Sequence, residues 1–174
     1  MSMIKSMALG SFLMMGLSFC VSADVPAAPP AGLKDLGADA AVQFGSNASD
    51  GWNVDKGFLL KDGERTGEYK DQFAFHTNND EPWFIVTLKS PADIKTIYIQ
   101  NRIGSSEPQE RAKGLTVSVS NDRKTWKEIW KAADVQSEWT IDLKSPEKAL
   151  YIKFELPRSA TSFLHLNNVR IYGN

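Results

Sequence analysis

The sequence predicts an all-β fold, an antiparallel β-sandwich, on three observations. Short runs rich in β-branched and aromatic residues recur between clusters of Gly, Pro, Asn, Asp and Ser. Most of these runs alternate apolar with polar residues, the two-residue period of a strand with one face on a core. No segment sustains a helical period, and no internal repeat is present.

Taken in order, Trp83–Lys89 (WFIVTLK) is apolar on consecutive residues, as befits a strand covered on both faces. After Ser90-Pro91-Ala92-Asp93 comes a second run, Ile94–Gln100 (IKTIYIQ). Leu115–Ser120 places Leu115, Val117 and Val119 on one face. The turn Asn121-Asp122-Arg123-Lys124 then predicts that TWKEIW returns as a hairpin partner. Trp139, Ile141 and Leu143 alternate, and so do Leu150, Ile152, Phe154 and Leu156. In the last run, LHLNNVRIYG, Leu164 and Leu166 share one parity while Val169 and Ile171 have the other. That phase break predicts a bulge near Asn167-Asn168 and puts His165 on the outer face.

The first 23 of the 174 residues read as a secretory signal rather than as part of the fold. Lys5 supplies the positive start, Ala8–Val21 the apolar stretch and Val21-Ser22-Ala23 the small-residue cleavage site. That apolar stretch falls short of the ~20 residues of a membrane span. A lipid anchor on Cys20 is the competing reading, but Phe19 is bulkier than the small residue such a motif carries before its cysteine. Export with cleavage after Ala23, to the periplasm or beyond, is therefore expected. Asp24–Gly32 (DVPAAPPAG) reads as the start of a flexible leader over residues 24–39, followed by one domain over 40–174.

Removing Met1–Ala23 leaves 151 residues, no cysteine and a formal charge of −2 in place of −1. No disulfide is then available, so an exported chain of this size must rely on its core or on a metal. The near-neutral charge speaks against a nucleic-acid partner, and no further stretch is apolar enough for membrane insertion. Phosphate-loop, dinucleotide and G-x-S-x-G patterns are missing, and Asp80-Glu81 are neighbours in a loop rather than opposed carboxylates. Two histidines without cysteine give a zinc site little material.

Five motifs in order carry a resemblance: LKDG at 60–63, FHTNNDEPWFIVTL at 75–88, IKTIYIQNR at 94–102, GLTVSVSNDRKTW at 114–126 and FLHLNNVRIYG at 163–173. Over Ala40–Asn174 the chain resembles the discoidin, or coagulation factor V/VIII C-type, domain, and within it the bacterial family 32 carbohydrate-binding modules. The resemblance implies a galactose-binding-like sandwich of jelly-roll topology, which strand periodicity alone does not specify. It also implies a non-enzymatic, monomeric module that binds a glycan through loops at one end. Adhesion to a cell-surface protein, or service as an accessory subunit of a glycan-degrading system, are the competing roles.

The resemblance assigns ligand contacts to His76, just before the PW strand, to Arg102, after the second strand, and to Phe163, before the last. Each has a plainer reading. His76 can be a solvated loop residue, Arg102 can pair with Glu107 or Glu110, and Phe163 can plug the core. A sugar needs an aromatic face for its C–H patch and fixed polar groups for its hydroxyls, and these three supply both. Trp52, in the turn-rich SNASDGW, is a second stacking candidate. Glu107, with Gln109, Glu110 and Arg111 in the long loop IGSSEPQERAKG, can add polar contacts. Fucose-binding lectins of this fold use an Arg-x-Asp element, whereas Gly104 stands two residues after Arg102 here, so galactose-type or other neutral sugars are expected. One structural Ca²⁺ is implied between Asp62, Thr66 and the position of Asn168. Asp62-Gly63 is equally an ordinary turn, and an amide in place of a carboxylate weakens such a site.

Overall fold

The computed structural model describes residues 29–45, 59–60, 73–77, 81–103, 110–159 and 163–174. Seven strands lie among them: β1 Lys34–Asp35, β2 Ala41–Phe44, β3 Trp83–Asn101, β4 Thr116–Ser120, β5 Lys127–Lys131, β6 Glu138–Glu155 and β7 Leu166–Gly173. Every pairing is antiparallel, in the order β1-β7-β3-β6-β4-β5, with β2 on the free side of the first half of β3. The sandwich expected from sequence is this arrangement, and it is built from one continuous hydrogen-bonded ladder.

Two of the runs separated in the sequence are joined. Trp83–Lys89 and Ile94–Gln100 are the halves of β3, and Trp139–Leu143 and Leu150–Glu155 are the halves of β6. The ladder between them continues round the bend through Ala92↔Ala149, Asp93↔Lys148 and Ile94↔Glu147. Pro91, which has no N–H to donate, falls in the interval between Thr87 and Ala92 where the register shifts. Beyond the bend β3 exchanges neighbours. Its first half lies between β2 and β6, its second between β6 and β7.

The register brings apolar residues into rows. Phe44, Phe84, Phe154, Val117 and Trp130 stand opposite one another across β2, β3, β6, β4 and β5. Within that row the Phe84 and Phe154 rings stack, with centroids 4.5 Å apart and planes 4° from parallel. In the second half Trp139, Ile99 and Val169 form one row and Ile141, Ile97 and Ile171 the next. These rows run through the buried core, with Phe44 and Trp130 packed at its margin.

The hairpin read at 121–124 is present, joining β4 to β5. The Asp122 carboxylate accepts from the backbone N–H of Lys124 and Thr125, each at 2.8 Å, and these bonds hold its carboxyl below the usual range. The expected bulge is also present. Gln100 pairs with Asn168 and Asn101 with Leu166, so Asn167 is the extra residue.

Composition placed residues 34–35 within the leader, yet they form β1, with Lys34 opposite Gly173 and Asp35 opposite Tyr172. Asp35 Oδ2 holds the buried Arg170 guanidinium at 3.1 Å, and Arg170 also donates to the Leu60 carbonyl at 2.8 Å. A two-residue strand is thus held by a buried charge pair that local sequence does not announce. At its partner Gly173 a side chain would meet the Asp93 carbonyl oxygen, which explains glycine there.

Phe154 is fully buried at the centre of the five-strand row. Truncating it to Ala should lower the unfolding free energy by about 3–5 kcal/mol. Urea denaturation monitored by tryptophan fluorescence measures this, and a loss below about 1 kcal/mol would contradict the packing described.

Candidate functional site

The strand ends Trp83, Asn101, Glu138 and Glu155 gather at one end of the sandwich, where residues 73–77 link its two halves. Phe75 packs on Phe84 and Phe44 of the first half, with centroids 5.1 and 4.8 Å away. Ala74 N donates to the Leu166 carbonyl, at the head of β7 in the second half, at 2.8 Å. Thr77 completes the clasp: its N–H donates to the Leu164 carbonyl at 3.0 Å, and its hydroxyl accepts from Leu164 N at 3.0 Å. Two extended segments, 73–77 and 163–166, are thereby laced together although about ninety residues separate them in the chain.

Lacing brings the rings of both segments into one cluster. His76 lies 5.3 Å from Phe163, 5.3 Å from His165 and 5.9 Å from Phe73, centroid to centroid. Phe73 also contacts His165 at 5.8 Å. The sequence placed His165 on an outer face, but it is 2 % exposed. Alternation reports only which side of a strand a residue takes. Here the side away from the core is covered by Phe73 and His76.

Two guanidinium groups border the cluster. Arg102 lies 4.7 Å above the Phe73 ring and is 7 % exposed, so it is a packed residue rather than a solvated loop cation. Its backbone is fixed by Asn101, whose Oδ1 accepts from Arg102 N at 2.8 Å while its Nδ2 donates to the Gln136 carbonyl at 2.9 Å. Arg111, in the 3-10 turn Glu110–Ala112, lies 5.4 Å above the Phe163 ring and is exposed.

His76 Nδ1 lies 3.0 Å from the Thr77 carbonyl oxygen. Since a carbonyl only accepts, the neutral ring carries its proton on Nδ1, which makes Nε2 an acceptor. Burial holds the imidazole below its ordinary value of 6.5; the bond to Thr77 opposes this, and the charges of Arg111 and Arg102 add to it.

Of the residues expected to contact ligand, His76 and Phe163 are in ring contact and Arg102 joins them through Phe73. Trp52 and Glu107 lie outside the described residues, as do Asp62 and Thr66 of the expected calcium set. Asn168, the third member of that set, is 3 % exposed in β7 and offers a neutral amide. No cluster of three His, Cys, Asp or Glu suited to a metal occurs among the described residues. Hard-cation sites draw on several oxygens including carboxylates, so Asn168 fits as a minor member only. Sequence reasoning passed over Phe73 and gave Arg111 no specific role. The F-x-F-H spacing, with Phe73 and Phe75 on one parity, was the available signal.

The chain belongs to the F5/8 type C domain family, whose model matches residues 41–167. No curated protein matches it by sequence. Among solved structures it is similar to a fucolectin from striped bass (Morone saxatilis) serum, with 18 % identity, TM-score 0.68, and coverage of 81 % of this chain and 49 % of that one. It therefore spans about half of the fucolectin chain. A Streptococcus pneumoniae fucose binding module is similar at 21 % identity and TM-score 0.63, over 83 % and 99 % of the two chains. A Clostridium perfringens module of family 32, solved with GalNAc-β-1,3-galactose, is similar at 16 % identity and TM-score 0.60, over 79 % and 99 %. At these identities the likeness carries the fold.

Because the folded value of His76 lies below the unfolded one, the unfolded chain takes up this proton first as the pH falls. The stability His76 contributes is complete above 6.5 and declines below it until the folded ring also protonates. Urea midpoints should therefore drop between about pH 7 and pH 5, and drop less in His76→Gln. Identical pH dependence in both proteins would show that the ring is not desolvated as described.

Proposed function

We propose that this protein is an exported, non-catalytic carbohydrate-binding module that takes a galactose-type or other neutral sugar at the His76–Phe163 end of the sandwich. The observation that supports it is the meeting of an aromatic face, an imidazole acceptor and a guanidinium at one loop-built end. Phe163, half-buried, offers a surface for the C–H patch of a pyranose. His76 Nε2 accepts from one hydroxyl, and the Arg102 N–H edge donates to another. Gly104, where fucose-binding lectins of this fold carry an acid, favours galactose over fucose. The family match and the sugar-binding modules among its structural neighbours are consistent with this reading.

Each hydrogen bond to the sugar replaces one to water and nets about 0.5–1.5 kcal/mol, so a monosaccharide should bind at about 0.1–1 mM. Titration of galactose, N-acetylgalactosamine and lactose by amide NMR should move the resonances of the 73–77, 101–103 and 163–166 segments. Phe163→Ala should lose detectable binding while the protein remains folded, and His76→Ala and Arg102→Ala should each weaken it about tenfold, the loss of one good hydrogen bond. Shifts absent from these segments at tens of millimolar sugar would defeat the proposal.

We propose further that Asp62, Thr66 and Asn168 hold one Ca²⁺ weakly. A cation bound only to the native state at ten times its Kd should raise Tm by about 3–6 °C. Melting curves in EDTA and in millimolar Ca²⁺ should differ by that amount in the wild type and coincide in Asp62→Ala. Coincident curves in the wild type would remove the metal.

A further inference from the structure

Arg111 is the cation of this site that the sugar-binding reading leaves unused. It is exposed, its guanidinium lies 5.4 Å above the ring assigned to stacking, and it stands on a 3-10 turn rather than on a strand. Four ion pairs occur among the described residues, on Lys89, Lys127, Lys153 and Arg170, and none supplies a carboxylate to Arg111. Its N–H groups therefore lie beside the position proposed for the sugar.

We infer that Arg111 makes this end of the domain selective for galactose-type sugars that carry an anionic group, a carboxylate or a sulfate ester, over the unmodified sugar. The inference rests on the sugar-binding reading above and departs from it in the charge of the preferred sugar. A guanidinium matches either anion with two parallel N–H donors, and such charge-assisted bonds are about twice as strong as neutral ones. Arg102, over Phe73, adds a second positive charge to the same end. Burial is the main cause that lowers the proton affinity of His76, and the positive charges of Arg111 and Arg102 lower it further.

Calorimetric titration of the full protein with methyl galactoside, galacturonate and galactose 6-sulfate tests this. At about 50 mM salt one or both anionic sugars should bind about tenfold more tightly than methyl galactoside, and at about 500 mM salt the advantage should shrink to about threefold or less. In Arg111→Gln the ratio of anionic to neutral affinity should fall towards one, and Arg111→Lys should restore part of it. Thermal unfolding of both variants confirms that they remain folded. A gain for only one anionic sugar identifies which anion the site prefers and supports the inference. Equal affinity for charged and neutral sugars, or an advantage that persists in Arg111→Gln, overturns the inference while leaving the sugar-binding reading in place. Binding by none of the three overturns both.

Discussion

The pairing of β3 with β6 is the constraint on which the rest of the molecule depends. Both strands run through both halves of the sandwich and stay hydrogen-bonded round the bend, so one register sets every apolar row. A slip of a single residue would carry Phe84, Val86, Ile97 and Ile99 to the opposite face together. The stacked Phe84–Phe154 pair and the Val86↔Ile152 and Ile97↔Ile141 pairs make the native register far more favourable than its neighbours. β2, β4 and β7 then join edges that this pair has already defined, and β5 and β1 add to β4 and β7.

The same constraint places the loop end. With the first half of β3 and the head of β7 both fixed, residues 73–77 can seat Phe75 on the Phe44–Phe84 row and still reach Leu166 with the Ala74 amide. His76 follows as a consequence, because the residue between Phe75 and Thr77 is held on both sides. Its imidazole is then positioned by the Thr77 carbonyl and by the rings of Phe73, Phe163 and His165. The bulge at Asn167 acts on the other segment, re-aiming the chain so that Leu166 meets Asn101 while Phe163 and His165 reach the His76 ring.

Electrostatics gives this end its chemical character. The chain as a whole is close to neutral, yet two guanidinium groups flank one imidazole that remains uncharged at neutral pH. Each guanidinium lies over an aromatic ring, Arg102 over Phe73 and Arg111 over Phe163. A packed cation and an exposed one next to a half-buried ring and an uncharged imidazole suit a small, polar, oxygen-rich ligand better than an apolar peptide or an acyl chain.

What the sequence determined by itself was the strand runs from Trp83 onward, most of their core-facing residues and the bulge; β1 and β2 were not among them. These depend on neighbours two residues apart, on turn residues such as Asn121-Asp122, and on a phase break visible in LHLNNVRIYG. His76, Arg102 and Phe163 were named from the order of the motifs, and the fold brings the His76 and Phe163 rings 5.3 Å apart. Tertiary structure alone decided the remainder. It joined four runs into two bent strands, because a ladder can persist round a corner that reads locally as a turn. It drew Lys34–Asp35 out of the leader, because the buried Arg170 needed a carboxylate from distant sequence. And it buried His165 and brought Phe73 and Arg111 beside the site, because the cover over a strand's outer face comes from whichever segment folds across it, and no local period records that.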